Sequence, residues 1–299
     1  MQGYSALAQP APCYHTPVLD ISSPVASPDE AIPEAPRGVG RVALRPLVVV
    51  PTFNEAQNVA PLSHGVLQAV PHGRMLFVDD GSPDGTGRRI REVAATDSRV
   101  ELRSRPRKLG LGSAYREGFR HALDHGHDVV VTMDADLSHD PRHLPSLLAA
   151  VADHDLVVGS RYVAGGGIEN WPLHRRALSR VANRLARALL CPSLSDWTSG
   201  YRVYRTEMLR ALPLDRIRSS GYSFLEEISF YAVRGGYRVR EVPIVFVDRQ
   251  GGCSKISSRE IALAVYHLLR LGVTGGRRSS SETVQGDRVE APSLLAREL

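Results

Sequence analysis

The chain has 299 residues, 37 Lys+Arg against 32 Asp+Glu for a net charge of +5, and 42% hydrophobic and 23% charged residues. That balance excludes collagen, a coiled coil and wholesale disorder, and suits a globular protein of one large or two small domains. Residues 1–40 hold one arginine against four acids and residues 277–299 hold four of each, so the stretch between carries +8 and is expected to face something anionic.

Residues 1–43 read as a disordered Pro-rich arm, with seven of the 20 prolines in the first 36 positions and no helical or strand period. A folded domain is expected over residues 44–273, followed by a polar flexible tail at 274–299. The domain opens with alternating strands and helices. Leu47–Val50 is an apolar run closed by Pro51, the pattern of a buried parallel strand. A helix is expected over Ala56–Val70, a strand over Met75–Val78, and helices over Gly85–Ala95 and Ser113–His125. Asp128–Met133 and Asp155–Val158 read as further buried strands, and Pro172–Leu190 as an amphipathic helix whose apolar side is Leu173, Leu178, Val181, Leu185 and Leu189. This order predicts an α/β fold: a mostly parallel central sheet with right-handed crossovers and flanking helices. Ligands of such sheets bind beyond the carboxyl ends of the strands, and acids stand at three of those ends: Glu55, Asp79/Asp80 and Asp134/Asp136.

Asp134-Ala135-Asp136 follows directly on a strand, so both carboxylates can face one ligand. Two like charges so close need a cation or hydrogen-bond donors. A hard divalent ion, Mg²⁺ or Mn²⁺, meets that need and would bridge to a diphosphate; alternatively the pair caps the turn before Asp140-Pro141. In Asp79-Asp80-Gly81-Ser82-Pro83-Asp84-Gly85-Thr86 a turn accounts for Gly81, Asp84, Gly85 and Thr86, while Asp80 could accept hydrogen bonds from a base or ribose. In Pro51-Thr52-Phe53-Asn54-Glu55, Asn54 can cap a helix and Phe53 can stack on a base. Along Pro172–Leu190, Arg175, Ser179 and Asn183 form one polar stripe, suited to phosphate, and Arg176, Arg180, Arg184 and Arg187 a second that reads as a solvated face. Only Lys108 and Lys255 are lysine. Both sit in Gly-rich loops, where a compact ammonium can approach a diphosphate through a narrow gap.

The ordered motifs PTFNE, VDDGSPDGT, RKLGLGSAYREG and MDADLSHDP closely resemble family 2 glycosyltransferases, which have the nucleotide-diphospho-sugar-binding GT-A fold. The later GSRYVAGGGIENWPLHRRALSRVANRLA, DWTSGYRVYR, GYSFLEE and DRQGGCSK are similar to polyprenol (dolichyl) monophosphate mannose synthases. The resemblance spans about residues 46–258. It implies an inverting, metal-dependent hexosyltransferase that moves mannose from GDP-mannose to a polyprenyl phosphate. It also implies roles by position: Pro51, Phe53, Glu55, Val78 and Asp80 at the guanine nucleotide, with Ala135 beside it; Asp134, Asp136 and Ser138 at the metal; Arg161, Arg175 and Ser179 at phosphate; and Arg249 and Lys255 on a loop closing over the nucleotide-sugar. Lys108 joins the nucleotide-sugar set, and Asp136, Arg161 and Arg249 are expected to carry the catalysis. Asp196 and Arg202 are expected to hold a neighbouring loop, and Glu227 to organise cations near the site.

A lipid phosphate acceptor is mostly dianionic at neutral pH and needs no general base; a hydroxyl acceptor would, and Glu226 and Glu227 are the candidates. No run of about 18 apolar residues suggests a membrane span. Ile261–Val273 reads as an interfacial or core helix. The first twenty residues lack the order of a secretory signal, and three distant cysteines suit a reducing compartment. The expected place is therefore the cytoplasm, peripherally on the inner face of an anionic membrane, with a separate membrane-anchoring protein as a further partner and no nucleic acid. Two other readings stay open: another donor such as UDP-glucose, and a non-enzymatic phosphate or nucleic-acid binder.

Overall fold

A computed structural model describes residues 44–214, 217, 219, 221, 223–248 and 266–272. The expected arm (1–43) and tail (274–299), as well as Arg249 and Lys255, lie outside the described residues. In chain order the elements are β1 (Pro46–Thr52), α1 (Val59–Ala69), β2 (Arg74–Asp79), α2 (Thr86–Thr96), β3 (Val100–Ser104), α3 (Leu111–Asp124), β4 (Val129–Thr132), α4 (Leu144–Ala150), β5 (Leu156–Ser160), β6 (Gly167–Glu169), α5 (Leu173–Leu189), β7 (Arg202–Arg205), α6 (Thr206–Ala211), α7 (Ser223–Arg234), β8 (Val239–Pro243) and β9 (Val245–Val247). Among the described residues seven strands form one sheet in the order β3-β2-β1-β4-β7-β5-β8. Within it β7 alone runs antiparallel, between β4 and β5. A small parallel pair, β6 with β9, stands apart.

The expected α/β architecture is present. Alternation sorts each strand's side chains onto two faces. Leu47 and Val49 of β1 join Leu76, Val78 and Val130 in one cluster with α3, α6 and α7. Val48 and Val50 join Met75, Phe77 and Val131 in another, with α1, α2 and α4. Strands buried on both faces explain the unbroken Val-rich runs of β1 and β4.

Several expectations need correction. β1 does not end before Pro51 but continues to Thr52, with Pro51 still in register opposite Val78; a proline costs one ladder bond and leaves the pairing intact. β3, β7, β8 and the β6–β9 pair are additional strands, short or half-exposed and so without an apolar run. The largest correction concerns α5. The first part of its presumed apolar side faces outward, with Leu173 81%, Leu178 51% and Val181 58% exposed, whereas Leu185 and Leu189 are half-buried, Leu189 packs on the core, and Asn183 and Ala186 are buried. The polar stripe of Arg175, Ser179 and Asn183 makes the inward contacts: Asn183 Nδ2 donates to Thr198 Oγ1 at 3.0 Å, and its Oδ1 accepts from the Trp197 N–H at 2.7 Å. Hydrogen bonds to the loop before β7 outweigh the helix's own hydrophobic pattern. Segment 266–272 of the expected terminal helix is helical, with Leu268 and Leu271 buried and Tyr266 exposed.

Helix α3 lies close on β1 because Gly118 faces Val49: a Cβ at Gly118 would stand 2.4 Å from Val49 Cγ1. In an unobstructed helix Gly→Ala gains up to about 1 kcal/mol, but overpacking a core costs about 1–3 kcal/mol. We expect Gly118→Ala to lower the melting temperature, measured by thermal denaturation; an unchanged or higher value would show that α3 can lift from the sheet.

Candidate active site

Two loops leave the carboxyl ends of β1 and β2 and are zipped together. The Asn54 N–H donates to Ser82 Oγ at 3.0 Å, the Glu55 N–H to Thr86 Oγ1 at 2.9 Å and the Ala56 N–H to Asp84 Oδ2 at 3.1 Å. Asn54 therefore does not cap α1; it takes a left-handed φ of 58° and turns the chain. Asp79 lies inside the turn, accepting from Thr52 Oγ1 at 3.1 Å and from the Ser82 N–H at 3.1 Å. Asp80 instead reaches the next loop, accepting from the main-chain N–H groups of Leu109 at 3.2 Å and Gly110 at 3.0 Å, and resting against the buried Arg105 guanidinium. This loop brings Lys108 Nζ to 4.9 Å from the centre of the Phe53 ring. Pro51, Phe53, Glu55, Asp80 and Lys108 thus gather at one end of the sheet. Glu55 accepts from Asn58 Nδ2 at 2.7 Å. The Val78 side chain is buried in the core, so the expected nucleotide contact at that position can come only from its main chain.

β4 ends at Thr132, so Asp134 and Asp136 stand in the following turn rather than on the strand. Leu137 holds a left-handed φ of 62° there, a conformation non-glycine residues rarely take. Ser138 is buried, and its hydroxyl donates to Asp136 Oδ1 at 2.5 Å, which places it beside the expected metal carboxylate. His139, which sequence reading passed over, is the support of the turn: its Nδ1 accepts from the Asp134 N–H at 2.9 Å. The ring stacks on Tyr201 at 4.9 Å and meets Phe246 edge-on at 5.5 Å. Burial pushes its pKa down to about 4, against the pull of the Asp136 carboxylate. The imidazole is therefore neutral at pH 7, with its proton on Nε2.

Arg161 follows β5 and reaches the same rim. Its Nε donates to Asp196 Oδ2 and its Nη2 to Asp196 Oδ1, both at 2.7 Å, with a further bond to Thr198 Oγ1 at 2.7 Å. Burial opposes the charge of Arg161; Asp196 outweighs it, and Asp134 pulls the same way. Asp196 is itself held below the usual carboxylate range, the Arg161 pair overcoming its burial. Because β7 is antiparallel, the loop before it drops onto this rim and delivers Asp196. Arg202, fully buried, clamps that loop through the carbonyls of Trp197 and Ser199. Arg161 and Arg175 share Trp171, at 5.6 Å and 4.0 Å from its ring. Ser179 Oγ accepts from Tyr162 OH at 2.8 Å. The aromatic side chains Tyr162, Trp171 and Phe246 were missed by sequence reading; the rarity of tryptophan was the available signal.

Asp134 and Asp136 are hard oxygen donors beside a fixed cation, a donor set that fits Mg²⁺ or Mn²⁺. No group of three or more His, Cys, Asp or Glu among the described residues could hold a metal ion. Two carboxylates would therefore need oxygens from a diphosphate and water to complete the shell. Glu226 and Glu227 are not presented as bases. Glu227 accepts from the Ser219 N–H at 2.9 Å and pairs with Arg270 at 3.0 Å.

The model of glycosyl transferase family 2 matches residues 47–212. The chain belongs to glycosyl transferase family 2. Within the family it is 47% identical over 231 residues to the undecaprenyl-phosphate mannosyltransferase of Micrococcus luteus, covering 77% of this chain and 95% of that one. It is 44% identical over 237 residues to the polyprenol monophosphomannose synthase of Mycolicibacterium smegmatis, covering 79% and 89%. Among solved structures, a mannosyltransferase from Pyrobaculum calidifontis in complex with GDP-Man and Mn²⁺ superposes with a TM-score of 0.54 at 20% identity, over 80% of this chain and 65% of that one, so this chain spans less than two thirds of it. Glucosyl-3-phosphoglycerate synthase from Mycobacterium tuberculosis, with Mn²⁺ and UDP-glucose, superposes with 0.55 at 21% identity, over 78% and 79%. These likenesses show the GT-A fold.

Glu226 supplies a test of the buried polar layer under the site. It is buried with Oε2 unpartnered, and burial pushes its pKa up to about 7. A carboxyl with a raised folded pKa contributes stability that is complete below its unfolded value near 4.5 and is lost as pH rises through about 7. The shift corresponds to a loss on the order of 3 kcal/mol. The stability advantage of Glu226→Gln over the parent should therefore grow from pH 5 to about 7 and stay constant above it in denaturant melts. A pH-independent difference would show that Glu226 stays ionised.

Proposed function

We propose that the protein transfers a mannosyl group from GDP-mannose to a polyprenyl monophosphate, with inversion and dependence on a divalent metal, to give polyprenyl phosphate mannose. The observation that carries this reading is that the strand ends bring Asp134 and the buried Arg161, locked on Asp196, to one rim of the sheet, near enough for the Asp134 charge to act on the guanidinium. It provides for a metal-bridged diphosphate and a second phosphate side by side. Relatives named for transfer of mannose to undecaprenyl phosphate and for polyprenol monophosphomannose synthesis extend it to the substrates.

Phe53, Glu55, Asp80 and Lys108 would bind the nucleotide, Phe53 by stacking and Lys108 by its charge at the diphosphate. Asp134 and Asp136 would hold Mg²⁺ or Mn²⁺, which when bound neutralises the diphosphate of the departing GDP. Arg161 and Arg175 would draw in the acceptor phosphate, and Arg249 and Lys255 would add charge. The difficulty of the reaction is to bring two polyanions together, and preorganised cations meet it by positioning and neutralisation. The acceptor oxygen attacks C1 without prior deprotonation, which agrees with the burial of Glu226 and Glu227. No helix among the described residues is long and apolar enough to cross a membrane. The lipid acceptor would be met at a membrane surface, where the basic core favours anionic headgroups.

The test is incubation of the protein with labelled GDP-mannose, polyprenyl phosphate and Mg²⁺ or Mn²⁺, followed by analysis of the lipid fraction. Labelled lipid is expected, lost on chelation and competed by GDP far better than by UDP. Asp136→Ala should lower turnover at least about 100-fold, the scale of removing one transition-state charge stabiliser. Wild-type turnover by that variant would overturn the metal assignment, and label transfer from UDP-glucose alone would overturn the donor.

A further inference from the structure

We propose that Asp248 sets acceptor specificity and product release by competing with the acceptor phosphate for Arg175. The inference rests on the acceptor-phosphate reading above. Arg175 Nη1 lies 2.9 Å from Asp248 Oδ1, with both side chains about a quarter exposed. Each partner is placed independently. Arg175 stacks on Trp171 at 4.0 Å, and Trp171 meets Phe246 edge-on at 5.3 Å. Asp248 directly follows β9, and its N–H donates to the Glu169 carbonyl at 3.2 Å, extending the β6–β9 pair. Phe246 in turn bridges to His139, which supports the Asp134 turn. The ion pair is thus built into the same small sheet that touches the metal turn.

The two arginines over Trp171 differ in their freedom. Arg161 is buried, with three of its five N–H groups spent on Asp196 and Thr198. It is a fixed cation. Arg175 is half-buried and, among the described residues, held by one carboxylate oxygen at Nη1, a partner that a phosphate can replace with a bidentate contact. It is an exchangeable cation.

The reaction changes the charge that competes for it. The bond from C1 to the GDP oxygen breaks and its electron pair leaves with GDP; the bond from C1 to the acceptor phosphate oxygen forms; no proton moves. A phosphate monoester, dianionic above its second pKa of about 6, becomes a monoanionic diester, while GDP gains the charge. Coulomb attraction scales with charge. Asp248 therefore yields Arg175 to the substrate and recovers it from the product. The same competition turns away acceptors with one negative charge or none.

The test uses the full-length protein and two short-chain ligands, a polyprenyl phosphate and its methyl diester, the latter a monoanion at every pH. The wild type should prefer the monoester. Asp248→Asn should bind the diester about tenfold tighter, the effect of one charge-assisted hydrogen bond, with a smaller gain for the monoester, so discrimination narrows. In turnover, acceptor KM and kcat should both fall and inhibition by product should strengthen. Asp248→Glu should restore wild-type discrimination, and Asp248→Ser, which removes the charge in a smaller side chain, should repeat the Asn result if the Asn variant melts early. In an Arg175→Gln background Asp248→Asn should change nothing. Wild-type discrimination in both neutral variants, or weaker binding of both ligands, would overturn the inference alone; a wild type that binds neither ligand would overturn the acceptor reading with it.

Discussion

A guanidinium sealed against a carboxylate is the constraint on which the rest of the site depends. Arg161 and Asp196 are 7% and 0% exposed. Burying two charges costs several kcal/mol per ion, recovered only with good geometry and further hydrogen bonds. Here the geometry is two-pronged, and Thr198 and Asn183 complete the set. The pair joins the end of β5 to the loop before β7, and so makes the antiparallel strand part of the functional rim. It also fixes a positive charge beside Asp134 before any ligand arrives, at no later reorganisation cost. A lysine could not fork onto Asp196 while reaching Thr198, which agrees with the scarcity of lysine in the chain.

From this pair the supporting layers can be followed outward. Arg202 clamps the Asp196 loop through the carbonyls of Trp197 and Ser199 and is itself anchored to α7 by Ser229 Oγ. Above it, Asn183 binds both main-chain N–H groups and the Thr198 hydroxyl, which turns α5 so that its polar stripe faces in. The exposed Leu173, Leu178 and Val181 are the consequence. Over the first turns of α5 the site's hydrogen-bond demand decides, while near its end Leu189 still packs on the core.

Much of this was legible in the sequence, for identifiable reasons. The strands β1, β2, β4 and β5 are apolar on both faces, and their runs identify them without ambiguity. The acids at their ends mark the rim because strand direction is implied by the alternation with helices. β7 was not legible: RVYR carries two arginines and no apolar run, and its place between β4 and β5 is set by tertiary pairing. The inward side of α5 was misread for a related reason. Periodicity reports which residues share a side, not which side finds partners. Ser138 and His139 fall between these cases, since their positions in the motif were plain but their partners, Asp136 and the Asp134 main chain, belong to the turn's folded shape.

The turn after β4 shows how local strain and support combine. A left-handed Leu137 costs of order 1 kcal/mol and persists only where surrounding contacts over-determine it. Ser138 on Asp136 and His139 on the Asp134 N–H supply two such contacts, and the His139 ring is held in turn by Tyr201 and Phe246. Phe246 belongs to β9, and β9 leads directly to Asp248 and its hold on Arg175. The turn that carries the acids and Arg175 are thereby connected through one neutral histidine and the rings of Phe246 and Trp171. A neutral imidazole suits that place. A charged one would compete with any cation for Asp134 and Asp136, and burial keeps the ring uncharged at neutral pH.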